Sequence, residues 1–419
     1  MSFFVKPNRE QLRFQSLDLE TLIPEDHPVK FFWKVCEELD LTNLYADYKI
    51  TEASEGRPAN DPRVLLCLWI YAYSQGIQSS RQLAEACKTR ADLIWLCGDI
   101  TPEYRTLAYF RINHTRALED AFCKMVMALK KLGLIKEKVF FQDGTKLMAN
   151  ASAKSFSNRN QLNQGRDRIE RALEKVQIAY HHFTSYPEEG IGMTNQPQIK
   201  LARKLKNRLR EVRKAIKQVN RIYERRQRLS KKDREKYPPK NAQASLTDSD
   251  SQFMLNDGRI KPSYNSQICL DGESEIIIAK EVSNQPTDVN RLLPMVEEVK
   301  NNLKVKELAG RYVTDSGYYK DENIWWAKQA GVKELILPIK IDPKCLETIE
   351  VKRNAESEAG KELLKRRNAT IERIIGYIKE RLRVRRFSLR GLVKVGCEWT
   401  FICLAYNLVR YMQLVKVKT

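Results

Sequence analysis

The chain has 419 residues, 42% hydrophobic and 30% charged, which excludes a low-complexity polypeptide and permits a large core in more than one domain. Lys and Arg number 74 against 53 Asp and Glu, a net charge of +21 with a pI near 9.5, and a field of that sign favours a polyanion, most often nucleic acid. Nine cysteines without a CxxC pair, most of them in apolar runs such as Leu65 to Trp69, predict reduced core thiols of an intracellular protein, and four histidines without ligand spacing argue against zinc. The N-terminus lacks a basic-then-apolar signal pattern and no apolar run is expected to span a membrane, so the expected location is cytoplasmic and nucleoid-associated.

Residues 1–26 read as an extended segment, followed by a helical, DNA-binding domain over 27–135. Asp61 before Pro62 predicts a capped helix through Val64 to Tyr71 that stops at Gly76. Ser79 with Gln82 fits a capping box for the next helix. Helix, turn, helix is compatible with DNA recognition and equally with any helical hairpin. Thr101-Pro102-Glu103 is read as the cap of a third helix from Tyr104 to His114. On it, Arg105 and Arg111 are candidate phosphate contacts, with a solvated helix face as the plainer alternative.

Val139 to Lys146 reads as a buried strand that delivers Asp143 to a turn at Gly144. Residues 153–245 then interrupt the fold. Within 158–243 the sequence has 23 Lys and Arg against 9 Asp and Glu. Leu201, Leu205, Leu209, Val212, Ile216, Val219 and Tyr223 recur at helical spacing, and Ile169, Leu173, Val176 and Tyr180 suggest a partner helix before Pro187. This predicts a basic helical hairpin with Arg203, Arg210 and Lys217 available to DNA; a coiled coil serving only dimerisation is the alternative.

Two strands follow around Asp271-Gly272 as an antiparallel hairpin. Then come a helix from Asp288 to Asn302, a short strand into Asp315, a helix from about Asp321, and a strand over Glu334–Pro338. A loop is expected from Asp342 to Gly360, a long helix over 362–386, and an apolar closing helix over Trp399–Val415. Without the insertion the order is β-β-β-α-β-α-β-α, that of an RNase H-like fold. The fold class is therefore α/β (α+β overall): a helical N-terminal domain, then an RNase H-like mixed-sheet catalytic domain over 136–419 carrying the insertion. Such folds place carboxylates at the first strand, near the fourth and on a late helix, where Mg²⁺ can stabilise both the attacking and leaving oxygens of an in-line phosphoryl displacement. Asp143 and Asp315 fill the first two places. Glu372, at the edge of the stripe Ile371, Ile374, Ile375, Ile378 and Leu382, fills the third. Lys379 lies seven residues on, on the same face. A surface Glu-Lys face is the alternative, and Glu362 and Glu380 compete for the place, although Glu380 falls on the other side of the stripe's margin.

Several segments together carry a family resemblance. They are Gly56-Arg57-Pro58; Thr101 to Thr106 with Phe110-Arg111; Asp143 to Lys146 with Ala149 to Ser152; Tyr264-Asn265 with Gln267; Asp315 to Tyr319; and Glu372 with Gly376, Lys379, Arg386-Phe387, Leu389-Arg390-Gly391 and Glu398-Trp399. The chain resembles bacterial insertion-sequence transposases of the DDE type with an InsH-like N-terminal domain. That resemblance implies catalytic metal ligands at Asp143, Asp315 and Glu372, and two Mg²⁺ ions for which Mn²⁺ can substitute. It also implies terminal inverted repeats and target DNA as substrates, with a homodimer in the synaptic complex. Of the pattern Y-x2-R-x3-E-x6-K, Glu372 and Lys379 are present, whereas the earlier positions fall on Lys365 and Asn368. Arg367 is the neighbouring candidate for the arginine, and Lys146 is a further candidate DNA contact. The alternatives are a degenerate, non-catalytic DNA-binding protein and an RNase H-like nuclease without joining activity.

Overall fold

The computed structural model describes residues 18–48, 59–185, 196–340 and 345–416. Gly56-Arg57-Pro58, Tyr180's side chain and most of the predicted N-terminal extended segment lie outside them. The part of that segment that is described is not wholly extended: Leu19–Leu22 forms a 3-10 turn capped by Asp18.

Seven helices come first: α1 (Pro28–Glu38), α2 (Thr42–Ala46), α3 (Pro62–Ser74), α4 (Ser80–Thr89), α5 (Ala91–Cys97), α6 (Tyr104–Asn113) and α7 (Thr115–Lys131). Asp61 caps α3 through the Arg63 N–H, with Pro62 at the first turn, and Ser79 caps α4, both as the sequence predicts. Thr101 does not cap α6. Glu103 occupies that place without a side-chain bond, and the short helix α5 intervenes, ended by the left-handed Gly98.

Strand β1 (Val139–Met148) runs ten residues, so Gly144 lies within the strand and is not the predicted turn. The reason is tertiary: from Phe140 to Met148 every residue pairs with the long strand β5. Between them the chain makes β2 (Phe156–Asn158), the long helices α8 (Arg159–Ser185) and α9 (Gln196–Gln227), α10 (Lys231–Lys236), β3 (Gln243–Ser245) and β4 (Gln252–Asn256), before β5 (Arg259–Asp271). Helices α8 and α9 pack together, and β2 pairs with β3 beneath them around a small separate core of Leu162, Ala215, Val219, Ile222, Ala242 and Ala244. The apolar seam is rotated from the predicted one. Ala215 and Ile222 are buried, Ile216 and Tyr223 only half so, and Leu201 is exposed. Asp257-Gly258, both at positive φ, turns β4 into β5, the same Asp-Gly signal that marks the next hairpin.

The remaining elements are β6 (Ile277–Ser283), α11 (Leu292–Leu303), β7 (Leu308–Val313), α12 (Asp321–Gln329), β8 (Val332–Ile336), α13 (Leu346–Glu356), α14 (Glu358–Glu380) and α15 (Leu392–Lys416). The sheet runs β6-β5-β1-β7-β8. The β6, β5 and β1 strands are antiparallel neighbours, β7 and β8 are parallel to β1, and β4 extends the edge beside β6. This is the RNase H-like mixed sheet. Three boundaries differ from expectation. The stretch predicted as loop holds α13, whose Thr348, Val351 and Ala355 are buried. The long helix starts at a Ser357 cap and ends at Glu380, short of 386. The closing helix is 25 residues long and, contrary to the sequence reading, apolar enough to cross a membrane, but 72% of its most apolar window is buried in the molecule. It is the core helix, packed on α3, α7 and β6.

One continuous apolar core joins the N-terminal helices to the sheet. A buried cation reinforces the junction: Lys280 of β6 pairs with Glu119 of α7 and lies 3.7 Å from Glu298 of α11, while Thr400 of α15 donates to Glu119. Seven of the nine cysteines are buried, Cys123 is half-buried, Cys345 is exposed, and all are free thiols.

Candidate active site

Alternation along β1 sends its residues to two different environments. Phe141, Asp143 and Thr145 face one side; Gln142, Gly144 and Lys146 face the other. The edge of β1 away from β5 is also divided. β7 pairs with it at Val139–Phe141, and the segment after α14 returns to pair with Met148 through Arg385 and Phe387. Asp143 sits in the interval between these two pairings. Asp315 follows the end of β7, so the adjacent parallel strands carry both aspartates to one end of the sheet.

The meeting point of the two carboxylates is Arg367 of α14. Its Nη2 lies 2.9 Å from Asp143 Oδ2 and 3.7 Å from Asp315 Oδ2, without a well-directed hydrogen bond to either. The two carboxylate oxygens are therefore at most about 6.6 Å apart. Each aspartate's other oxygen is fixed locally: Asp143 Oδ1 accepts the Gly144 N–H at 2.7 Å, and Asp315 Oδ1 accepts the Gly317 N–H at 2.8 Å. Oδ2 of each is thereby left to face Arg367. Arg367 is 2% exposed; its Nε donates to the Gln142 carbonyl and its Nη1 to Asn368. Burial pushes the Asp143 carboxyl up to about 6, against the pull of Arg367 and of the Gly144 N–H. The negative charge of Asp315 works in the same direction as burial.

The donor set suits a hard divalent cation: two carboxylates on rigid elements, their side chains 24% and 46% exposed, drawn to one positive charge. The third predicted ligand is not joined to them. Glu372 is on the same helix as Arg367 but exposed, with no hydrogen bond or ion pair among the described residues, where no group of three His, Cys, Asp or Glu is placed to hold a metal ion. Lys379, seven residues on, is 3.6 Å from Asp257.

On the reverse face of β1 is an acid that sequence reasoning missed. Asp288 accepts from Lys146 Nζ at 3.0 and 3.2 Å, from Asn265 at 2.6 Å and from Gln267 at 2.7 Å. Gln267 also accepts from Tyr318, and Gln142 accepts from Tyr312 at 2.8 Å. All five of these uncharged residues are fully buried. Gly144 makes the network possible, because a Cβ there would overlap the Gln267 side-chain amide. Asp288 is at the N-cap position of a 3-10 turn, but its carboxylate caps nothing and is spent on this network. The N-cap spacing could have flagged the residue but not its role. The Asn265 and Gln267 of the resemblance are explained by it.

Three predicted DNA contacts are corrected by burial or pairing. Arg111 is 5% exposed, lies over the Trp69 ring, and donates to Tyr73 and to the Gln78 carbonyl, so it braces α3 against α6. Lys146 is held by Asp288 and is likewise internal. Arg367 acts on the two aspartates and not at the surface. Arg105, Arg203, Arg210 and Lys217 are all exposed. Where α8 meets α9, Arg210 and Lys217 share a cleft with Leu173, Lys206, Arg213 and Lys214.

Comparison with protein families gives two matches. A family described as a transposase domain (DUF772) matches residues 17–113, and one described as a transposase DDE domain matches residues 241–408. Between them they span more than half of the chain. No curated protein and no solved structure matches it.

Proposed function

Because this chain belongs to the insertion-sequence transposases of the DDE type, we propose that it cuts the ends of its element and joins them to target DNA by in-line phosphodiester chemistry at Asp143 and Asp315. The observation that supports this most directly is the convergence of these two carboxylates, far apart in sequence, on a single guanidinium nitrogen. Asp143 and Asp315 would hold a divalent cation, Mg²⁺ or Mn²⁺, with Glu372 joining them from α14 to complete a two-ion site. When bound, such ions lower the pKa of coordinated water and stabilise charge on the attacking and leaving oxygens.

The chain's own groups have definite tasks in this reading. The Gly144 and Gly317 N–H groups hold one oxygen of each aspartate, so that the other is left to face Arg367. Arg367 neutralises the pair until a cation takes its place. Arg105, Arg203, Arg210, Lys217 and Lys379 bind the DNA backbone, and the inverted repeats are held together by two copies of the chain. In the first step a water oxygen attacks the phosphorus and the 3′-oxygen leaves, taking up a proton; in the second that 3′-hydroxyl attacks a target phosphodiester and the target strand's own 3′-oxygen leaves. The same proposal includes a helical DNA-binding region over 27–135, a catalytic region over 136–419 interrupted by the insertion at 153–245, and action in the bacterial cytoplasm at the nucleoid.

Asp143→Asn, Asp315→Asn and Glu372→Gln are each expected to abolish end cleavage in a nicking assay while end binding persists. Retained cleavage removes that residue from the site. A second reading has one observation in its favour: Glu372 is unjoined and Arg367 occupies the carboxylate pair, as suits a degenerate DNA-binding protein. Metal-dependent nicking of a terminal repeat separates the two, and a strand-joining assay separates transposition from simple hydrolysis.

A further inference from the structure

Where β1 leaves the sheet, the chain forms a second cleft, of about 640 Å³, that plays no part in the chemistry above. Its floor is the small-residue run Ala149 to Ala153, and its charged lining is Lys261 of β5, Arg386 after α14 and Arg390 before α15. Three cations from separate parts of the chain converge there, and no carboxylate lines the cleft. Four neighbouring basic residues differ. Arg366 is paired with Glu273, Arg373 with Glu275, Lys379 with Asp257 and Arg385 with Glu380. Arg386 and Lys261 have no ion-pair partner among the described residues, and Arg390 spends two of its donors on Asn150, at 2.9 and 3.3 Å. The nearby Asp248 and Asp250 bond the Gly391 and Leu392 N–H groups. Asp248 feels the charge of Arg390, but no acid lines the cleft itself, and gathering like charges there opposes folding, a repulsion that a bound anion reverses.

Position selects the anion. Arg386 pairs with Met148 on the same edge of β1 that is open at Asp143. Five residues of strand separate the two, about 17 Å at the usual rise. For a duplex whose axis runs along β1, that is about five base-pair steps at the 3.4 Å axial spacing. The cleft also adjoins both ends of the basic insertion, through Ala153 and Thr247.

We propose that this cleft is a phosphate-binding site for end DNA, in which Lys261, Arg386 and Arg390 hold the backbone about five nucleotides from the bond that is cut. The inference rests on the function proposed above and adds a contact that fixes how far the end is drawn past Asp143.

The test is fluorescence anisotropy with the full chain and a 30-base-pair duplex carrying the terminal repeat read from the DNA flanking the gene. Single methylphosphonates are placed along one strand at a time. Wild type is expected to lose about three- to tenfold in affinity at one or two positions near the fifth nucleotide. Arg386→Ala and Lys261→Ala, with unchanged melting temperatures, are expected to lose a similar factor on the unmodified duplex, to lower the salt slope by about one each, and to be indifferent to those methylphosphonates. Variants that bind like wild type with the same slope, or that keep the full methylphosphonate effect, overturn the site. The same coupled losses on an unrelated duplex, with no preference for the repeat, leave the phosphate site standing and remove the end-specific reading instead.

Discussion

The two faces of β1 treat their charged groups in opposite ways. On one face Asp143 and Asp315 share one guanidinium nitrogen by charge and without a directional bond to it, and each keeps one oxygen that no N–H holds. On the other face Asp288 is locked by Lys146, Asn265 and Gln267, with Gln142, Tyr312 and Tyr318 bonded into the same network. Asp143 and Lys146 are only three residues apart. The difference teaches that a carboxylate's exposure to chemistry depends on how many of its lone pairs the fold has already used. The locked network holds β1 rigid, and rigidity behind a ligand is what positions it in front.

Several substitutions would break or sharpen this contrast. The largest expected effect is at the open face, where Asp143→Asn or Asp315→Asn should reduce end cleavage by at least about two orders of magnitude, the scale of losing one charged group at a reacting centre. Nicking rates on a terminal-repeat duplex measure it. At the locked face Asp288→Asn should instead act on stability, costing about 2–4 kcal/mol in urea unfolding, because the largely buried Lys146 loses its counter-charge. A loss of cleavage without a loss of stability there would mean that the network is not merely a brace. Gly144→Ala should cost about 1–3 kcal/mol through overlap with Gln267. The smallest effect on folding is expected at the insertion. Charge reversal of Arg203, Arg210 and Lys217 should leave the melting temperature nearly unchanged while flattening the salt dependence of DNA binding. Arg111→Met, by contrast, should lower stability without altering that slope. An unchanged slope in the insertion variant favours dimerisation as its role.

Much of this was legible in the primary structure. The order of strands and helices after β1 is written in periodicity, and the two aspartates are marked by apolar runs that end on a carboxylate. What was misread shares a cause. Gly144 looks like a turn because local propensity cannot register nine cross-strand partners on β5. Residues 346–356 look like loop because α13 buries only three of its eleven residues, too narrow a face to stand out. Arg111 looks like a DNA contact because an arginine on a helix gives no sign of the tyrosine and carbonyl waiting across the core.

The sequence alone determined the composition of the molecule's parts: a basic amphipathic hairpin, apolar runs leading into aspartates, capped helices and a chain too positive to ignore polyanions. These follow from local physics, from spacing, propensity and charge. Only the tertiary structure decided which acids meet and which cation meets them. Arg367 and not Glu372 touches both aspartates, and Asp288, passed over as an ordinary helix-start residue, anchors the opposite face. Such choices depend on groups that lie, for Asp288 and its partners alone, from 21 to 142 residues apart, and on which face of one strand each is brought to, neither of which the linear pattern contains.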